Sequence, residues 1–226
     1  NINNTIGKIA ADLTGSGGLS LKSSIALGID TVLGLNGVNT VNQAINISSD
    51  QMLTVSQPVN AGTGSVALVG ANLTLGSTST IDGGTILLRA KQSGGQIVSA
   101  SSPRIGTTGA TTNINIESDV LSFPSPYPTF NASNAIAYRT ATDNGNITTI
   151  SLSNASLNAP FLIIGNDRAA DFDTTGNISV DAALNRSTNN LVLLAGGGIS
   201  QTAAITAKEL AIRAGTVSGS TGAVVL

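Results

Sequence analysis

The stretch NLVLLAGGGISQTAAITAKELAIRAGTVSGSTGAVVL, Asn190 to Leu226, holds two short alternating aliphatic runs. Val192 and Leu194 lie in the first, and Leu210 and Ile212 lie in the second, eighteen residues later. Between them come the corner Gly196, Gly197, Gly198, then Ile199, a small-residue corner and Ile205. Val217 follows Ile199 by eighteen residues, and Val224 follows Ile205 by nineteen. A period this short, made of brief strands with no room for a helix, is the mark of a chain that winds round once per repeat. The expectation is an all-β fold, a right-handed parallel β-helix (β-solenoid) of about 18–22 residues per coil.

In such a coil alternate side chains point inward and equivalent positions stack at about 4.8 Å, the spacing of neighbouring strands. The spacing predicts one inward ladder of Val192 with Leu210 and Leu194 with Ile212, and a second of Ile199 with Val217. A single coil cannot bury its own apolar edge, so stacking supplies the partner.

Upstream, Ile45 and Ile47, Leu53 and Val55, and Val59 form one three-strand coil, and Val66 and Leu68, Leu73 and Leu75, and Ile81 form the next. Ile86 and Leu88 continue the series, with Ile97 and Ile105 on later sides. Glycines between these runs mark changes of direction. Across the chain this predicts nine to eleven coils in a single β-helix segment, 1–226. Asn1 and the strand-like GAVVL ending suggest that the segment belongs to a longer chain.

Composition agrees. Of 226 residues, 41% are hydrophobic but only 3% aromatic, which suits a thin aliphatic core. Charged residues make up 10%, the formal charge is -2, and the ten basic residues are scattered. A nucleic-acid footprint needs concentrated positive charge, so none is expected. No apolar run reaches the ~18 residues of a transmembrane segment. Cysteine and histidine are both absent, which removes the thiol nucleophile, the imidazole base and the soft zinc ligands.

Two stretches break the pattern. LSFPSPYPTFNASNAIAYRTATDN, Leu121 to Asn144, carries three of the six prolines and four of the six aromatic residues. Proline cannot donate a ladder hydrogen bond, so 121–144 is expected as a lateral excursion, a loop or hairpin outside the helix. Phe123, Tyr127, Phe130 and Tyr138 are the candidate partner-binding residues, because aromatic rings cover sugar faces or peptide side chains. The competing reading is that Phe123 and Phe130 anchor the loop by packing.

The second break, Ile164 to Gly176, is a smaller excursion containing Asp167, Asp171 and Asp173. A solvated acidic loop, a weak calcium site and a carboxylate pair for hydrolysis all stay open there. Catalytic, cofactor-binding and metal residues are assigned to none, and no cofactor is expected. Eight N-x-S/T sequons begin at Asn3, Asn46, Asn72, Asn131, Asn146, Asn154, Asn177 and Asn185. Asn72 and Asn146 precede strands, where asparagine serves a corner equally well. Thr-x-Thr at Thr78 and Thr140 raises ice binding, but two pairs make no threonine plane.

LVLLAGGGISQTAAITAKELAIRAG, Leu191 to Gly215, resembles the repeats of filamentous-haemagglutinin-type bacterial exoproteins, and GSVALVGANLTLG, Gly64 to Gly76, is similar to the same repeats. The resemblance covers about Ile45 to Leu226 and is shared in part by autotransporter passengers. It implies a protein secreted to the bacterial cell surface through an outer-membrane secretion partner, with roles in adhesion or biofilm. The NPNGI-type signature of the secretion domain is absent. The expected function is therefore a structural shaft or binding segment of a surface adhesin, presenting a side loop to a host-cell, bacterial-cell or glycan surface. The alternative is a carbohydrate-active β-helix enzyme using surface carboxylates.

Overall fold

A computed structural model describes residues 4–100, 102–107, 110–142, 145–153, 155–166, 175–215 and 222–225. Among these residues the chain forms four parallel sheets, one antiparallel hairpin and a single helical turn, Ile150–Ser153. The fold is a β-solenoid of about eight turns, since the longest sheet stacks nine strands.

That long sheet runs the length of the molecule without interruption. Its strands are Leu19–Ser23, Ile45–Ser49, Ser65–Gly70, Thr85–Ala90, Asn113–Glu117, Ala135–Arg139, Phe161–Gly165, Leu184–Ala195 and Ile205–Ala214. Alternation aims every second side chain inward, and the register lines these up in two ladders. Leu19, Ile45, Val66, Ile86, Ile114, Ile136, Leu162, Leu191 and Leu210 form one. Leu21, Ile47, Leu68, Leu88, Ile116, Tyr138, Ile164, Leu193 and Ile212 form the other. From Ile45 to Leu193 all these side chains are buried.

The other faces are shorter. A second sheet carries the ladder Leu27, Leu53, Leu73, Ile97 and Leu121, and ends at Val120–Ser122. A third carries Ala11, Val38, Val59, Ile81, Ile105, Phe130 and Leu157. A fourth begins at Ile147–Thr148 and stacks Ile147, Ile178, Ile199 and Val224.

The register differs from the expected one by a single residue. Leu191 pairs with Leu210 and Leu193 with Ile212, an offset of nineteen, while Val192 and Leu194 point outward opposite Ala211 and Arg213. Four consecutive apolar residues, Leu191 to Leu194, fit either face locally, and a one-residue slip exchanges the faces of a strand. The partners of Ile199 are Ile178 and Val224; Val217 lies outside the described residues.

Coil length also varies more than 18–22 residues. Leu162 to Leu191 spans twenty-nine, and Leu191 to Leu210 nineteen. The surplus sits at corners, which bulge outward without disturbing the ladders. One corner is a hairpin, Thr31–Val32 with Leu35–Asn36, whose tip Leu33 and Gly34 have φ of 50° and 86°. Positive φ at both central residues fits the turn twist that a two-residue hairpin requires. Where coils approach most closely, only glycine fits: a Cβ on Gly165, at φ 91°, would lie 2.0 Å from the Leu194 carbonyl oxygen.

Side chains stitch the corners together. The Asn72 side-chain Oδ1 accepts from the Gln96 backbone N–H at 2.9 Å, that of Asn146 from the Asn177 N–H at 2.8 Å, and that of Asn177 from the Gly198 N–H at 2.7 Å. Three sequon asparagines thus serve as corner links between successive coils.

The observed register carries a direct consequence. Leu193→Asp should cost at least ~3 kcal/mol in chemical denaturation, because an unpaired carboxylate enters an aliphatic stack. Val192→Asp, on the outer face, should cost less than ~1 kcal/mol. Equal losses from the two variants would overturn the register.

Candidate functional site

The stretch 121–144 is narrower as an excursion than its prolines suggest. Val120–Ser122 belongs to the second sheet, Thr129–Asn131 to the third and Ala135–Arg139 to the long one. Phe123 to Pro128 forms a corner between two faces, and the three residues Ala132 to Asn134 form a shorter one. The stretch is mostly a coil in its own right, because its prolines fall in the corner and spare the strands.

This placement decides the fate of the four aromatic residues. Phe130 is wholly buried between Ile105 and Leu157 on the third sheet, and Phe123 packs on it with ring centroids 5.9 Å apart. Tyr138 occupies an inward position of the long sheet, and its hydroxyl donates to the Ser118 carbonyl at 3.1 Å. Burial, with the nearby Asp119 carboxylate, pushes its phenol well above the usual range. Tyr127 alone is presented to solvent, with 46% of its surface exposed. Phe123, Phe130 and Tyr138 are core residues, so the surface they were expected to form with Tyr127 is not there.

Asp167, Asp171 and Asp173 lie outside the described residues, as do residues 167–174 of the Ile164 to Gly176 excursion. Among the described residues no three acidic side chains gather into a metal-binding group. Asp119 is held by the corner itself: its carboxylate accepts from the N–H groups of Gly94, Ala141 and Thr142 and from the Thr142 hydroxyl, at 2.8–3.0 Å.

Two arrangements emerge that the linear sequence did not single out. On the outer face of the long sheet, Arg89, Glu117 and Arg139 are lateral neighbours in successive coils. Glu117 is 3% exposed and pairs with Arg139 and, at 3.2 Å, with Arg89. Beside it lies a shallow groove of about 390 Å³ whose floor includes Leu87, Asn115, Ala137 and Ile163. The three charges stand twenty-eight and twenty-two residues apart, so only the register reveals them as a group.

The second arrangement is a cleft of about 430 Å³ between Ser156–Asn158 and the start of Leu184–Ala195. Leu152, Leu157, Leu162 and Leu184 give it apolar walls, and Asn158 and Asn189 stand at its polar rim. Arg186 is buried here. Its guanidinium donates through Nη1 to the Leu157 carbonyl and through Nη2 to the Ala159 carbonyl. Burial pulls the guanidinium below its usual pKa, and no carboxylate lines the cleft among the described residues. The sequence signal was available only in part: Arg186 follows Leu184 by two, which places both on one strand face.

Comparison of the chain with models of protein families, with curated proteins and with solved structures found no match.

Two measurements follow from these placements. Phe130→Ala should destabilise the fold by about 3–5 kcal/mol, while Tyr127→Ala should stay within ~0.5 kcal/mol, as read by urea unfolding. The second concerns Asp82, on the third sheet. Burial raises its pKa, partly offset by Arg104 and by a hydrogen bond from Thr107, and its Oδ1 is buried without a hydrogen-bond partner. A carboxyl group harder to ionise in the folded state contributes stability below its unfolded pKa and loses that contribution as pH rises through the folded value. Asp82→Asn should therefore raise the melting temperature at pH 7, with the gain shrinking as pH falls through the raised folded value and gone below the ordinary 3.8. A gain that grows on acidification would reverse the assigned sign.

Proposed function

We propose that this chain is a structural shaft or binding segment of a secreted bacterial surface adhesin. The observation that carries the reading is the unbroken nine-strand sheet. It converts a charge-poor, hydroxyl-rich and amide-rich sequence into a rigid rod, and eight strand-to-strand steps of ~4.8 Å give it an axial rise of about 38 Å. Support also comes from where the adhesin-like repeats fall. Gly64 to Gly76 supplies the third strand of that sheet and a strand of the second, and Leu191 to Gly215 lies in its last two strands, as expected of a repeat whose task is extension.

A rod of stacked coils needs no disulfide to enlarge its core, because each added coil extends the same ladders. That suits a chain exported through an outer-membrane secretion partner and folding outside the cell. The contact surface in this reading is the Tyr127 corner, between the second and third sheets, and the partner is a host-cell, bacterial-cell or glycan surface. Asp30, Asp50, Glu117 and Asp119 are held by ion pairs or backbone N–H groups.

Beads coated with the folded protein should attach to epithelial or bacterial cells above beads coated with its heat-denatured form. The purified protein should release no reducing ends from acidic plant or bacterial polysaccharides. Attachment equal to the denatured control would sink the adhesin reading, and turnover that co-purifies with the folded chain would establish the enzyme in its place.

A further inference from the structure

The third sheet stops short in one place only among the described residues. Ser156–Asn158 pairs with Thr129–Asn131 on one side and with no described strand on the other. One coil later, Leu184 to Arg186 lies along the same face and pairs only with Ile205 to Ala207. Two strand edges running in the same direction therefore face each other across the 430 Å³ cleft. On the long sheet the same two coils remain joined, Leu162 against Leu191, so the coils splay on one side and stay hinged on the other.

Arg186 bridges this opening. In a parallel ladder the incoming strand offers its N–H groups to carbonyls two residues apart. The carbonyls of Leu157 and Ala159 have that spacing, and both are taken by the Arg186 guanidinium. The side chain starts from an inward position, as the buried Leu184 and Arg186 flank the exposed Asn185. An arginine thus replaces the aliphatic residue that the ladder would carry, and two N–H groups of a side chain replace those of a strand. Its Nε is buried with no acceptor, and its charge has no carboxylate partner among the described residues. A buried charge left without a counter-ion is costly.

We infer that the slot accepts an extended acidic peptide segment of another protein as an added parallel strand, with an aliphatic side chain inward between Leu157 and Leu184 and, two residues on, an Asp or Glu beside Arg186. The strand's own N–H groups would take over the Leu157 and Ala159 carbonyls. The freed guanidinium would turn to the peptide carboxylate, where paired charge-assisted hydrogen bonds are stronger than those to neutral carbonyls. Main-chain pairing supplies affinity in this mode, and alternate side chains supply specificity. The two strand edges favour a peptide over an acidic sugar, which would meet the guanidinium without matching the carbonyl spacing. The inference stands whether or not the chain is an adhesin shaft.

The test uses the unmodified protein and a fluorescein-labelled synthetic heptapeptide of sequence TVTLTET, with TVTLTQT and TVTLTKT as controls. Fluorescence anisotropy should show saturable binding of the glutamate peptide, at least tenfold tighter than either control. Deuterium exchange at saturation should slow at 155–159 and 184–187. Arg186→Gln should abolish the preference for glutamate over glutamine. If that variant fails to fold, the exchange map and the three-peptide comparison on the unmodified protein decide alone. Equal affinity for the three peptides, or protection confined to the strand edge at 205–214, would overturn the inference. Displacement of the peptide by free glucuronate at equal concentration would also overturn it, assigning the cleft to acidic sugars.

Discussion

Everything in this molecule depends on one coil finding the next in register. No coil has a core of its own, and the aliphatic side chains of Ser65–Gly70 become interior only because Ile45–Ser49 and Thr85–Ala90 lie against them. Hydrogen bonding and burial act on the same unit, since each strand satisfies its backbone groups on the two strands whose side chains cover it. The long sheet keeps this arrangement over nine strands. The other faces are free to end, restart or open because it does.

That freedom is visible where the second sheet gives way to the fourth. The second sheet ends at Val120–Ser122, and the fourth begins at Ile147–Thr148, just before the Ile150–Ser153 turn. Backbone groups that lose a strand neighbour there are met by side chains. Asp119 gathers three N–H groups, and the Ser118 carbonyl takes the Tyr138 hydroxyl. On the third sheet the same duty falls to Arg186. The chain's low charge makes these exceptions stand out: Glu117 is buried but flanked by two arginines, whereas Arg186 is buried with carbonyl oxygens alone as its acceptors among the described residues. Similar burial produces a tie in one case and an unmet electrostatic demand in the other.

The aromatic corner shows how a local signal misleads in a repeat fold. Three prolines near four rings look like an appendage, because proline is excluded from interior ladder positions. Here Pro124, Pro126 and Pro128 all fall between strands, and the rings at 123, 130 and 138 point into a core that is otherwise aliphatic. Nothing in the linear order distinguishes a proline-rich corner from a proline-rich loop. The difference lies in whether the flanking residues find ladder partners, and Leu121 with Ile97 and Phe130 with Ile105 do.

By itself the sequence determined the class of fold, because strands of three to five residues recurring with aliphatic positions at each turn can bury that surface only by stacking. It also determined the approximate strand positions from Ile45 to Ile105, where alternation is clean and neighbouring coils differ by about twenty residues. The tertiary structure alone decided the face of the Leu191 to Leu194 run, because four adjacent apolar residues satisfy either alternation until Leu162 and Leu210 select one. It alone assembled Arg89, Glu117 and Arg139, and it alone set Arg186 across an open slot. Ladder contacts between coils join residues separated by nineteen to thirty-one positions, and corner lengths that vary independently of the ladders hide those partners from the linear chain.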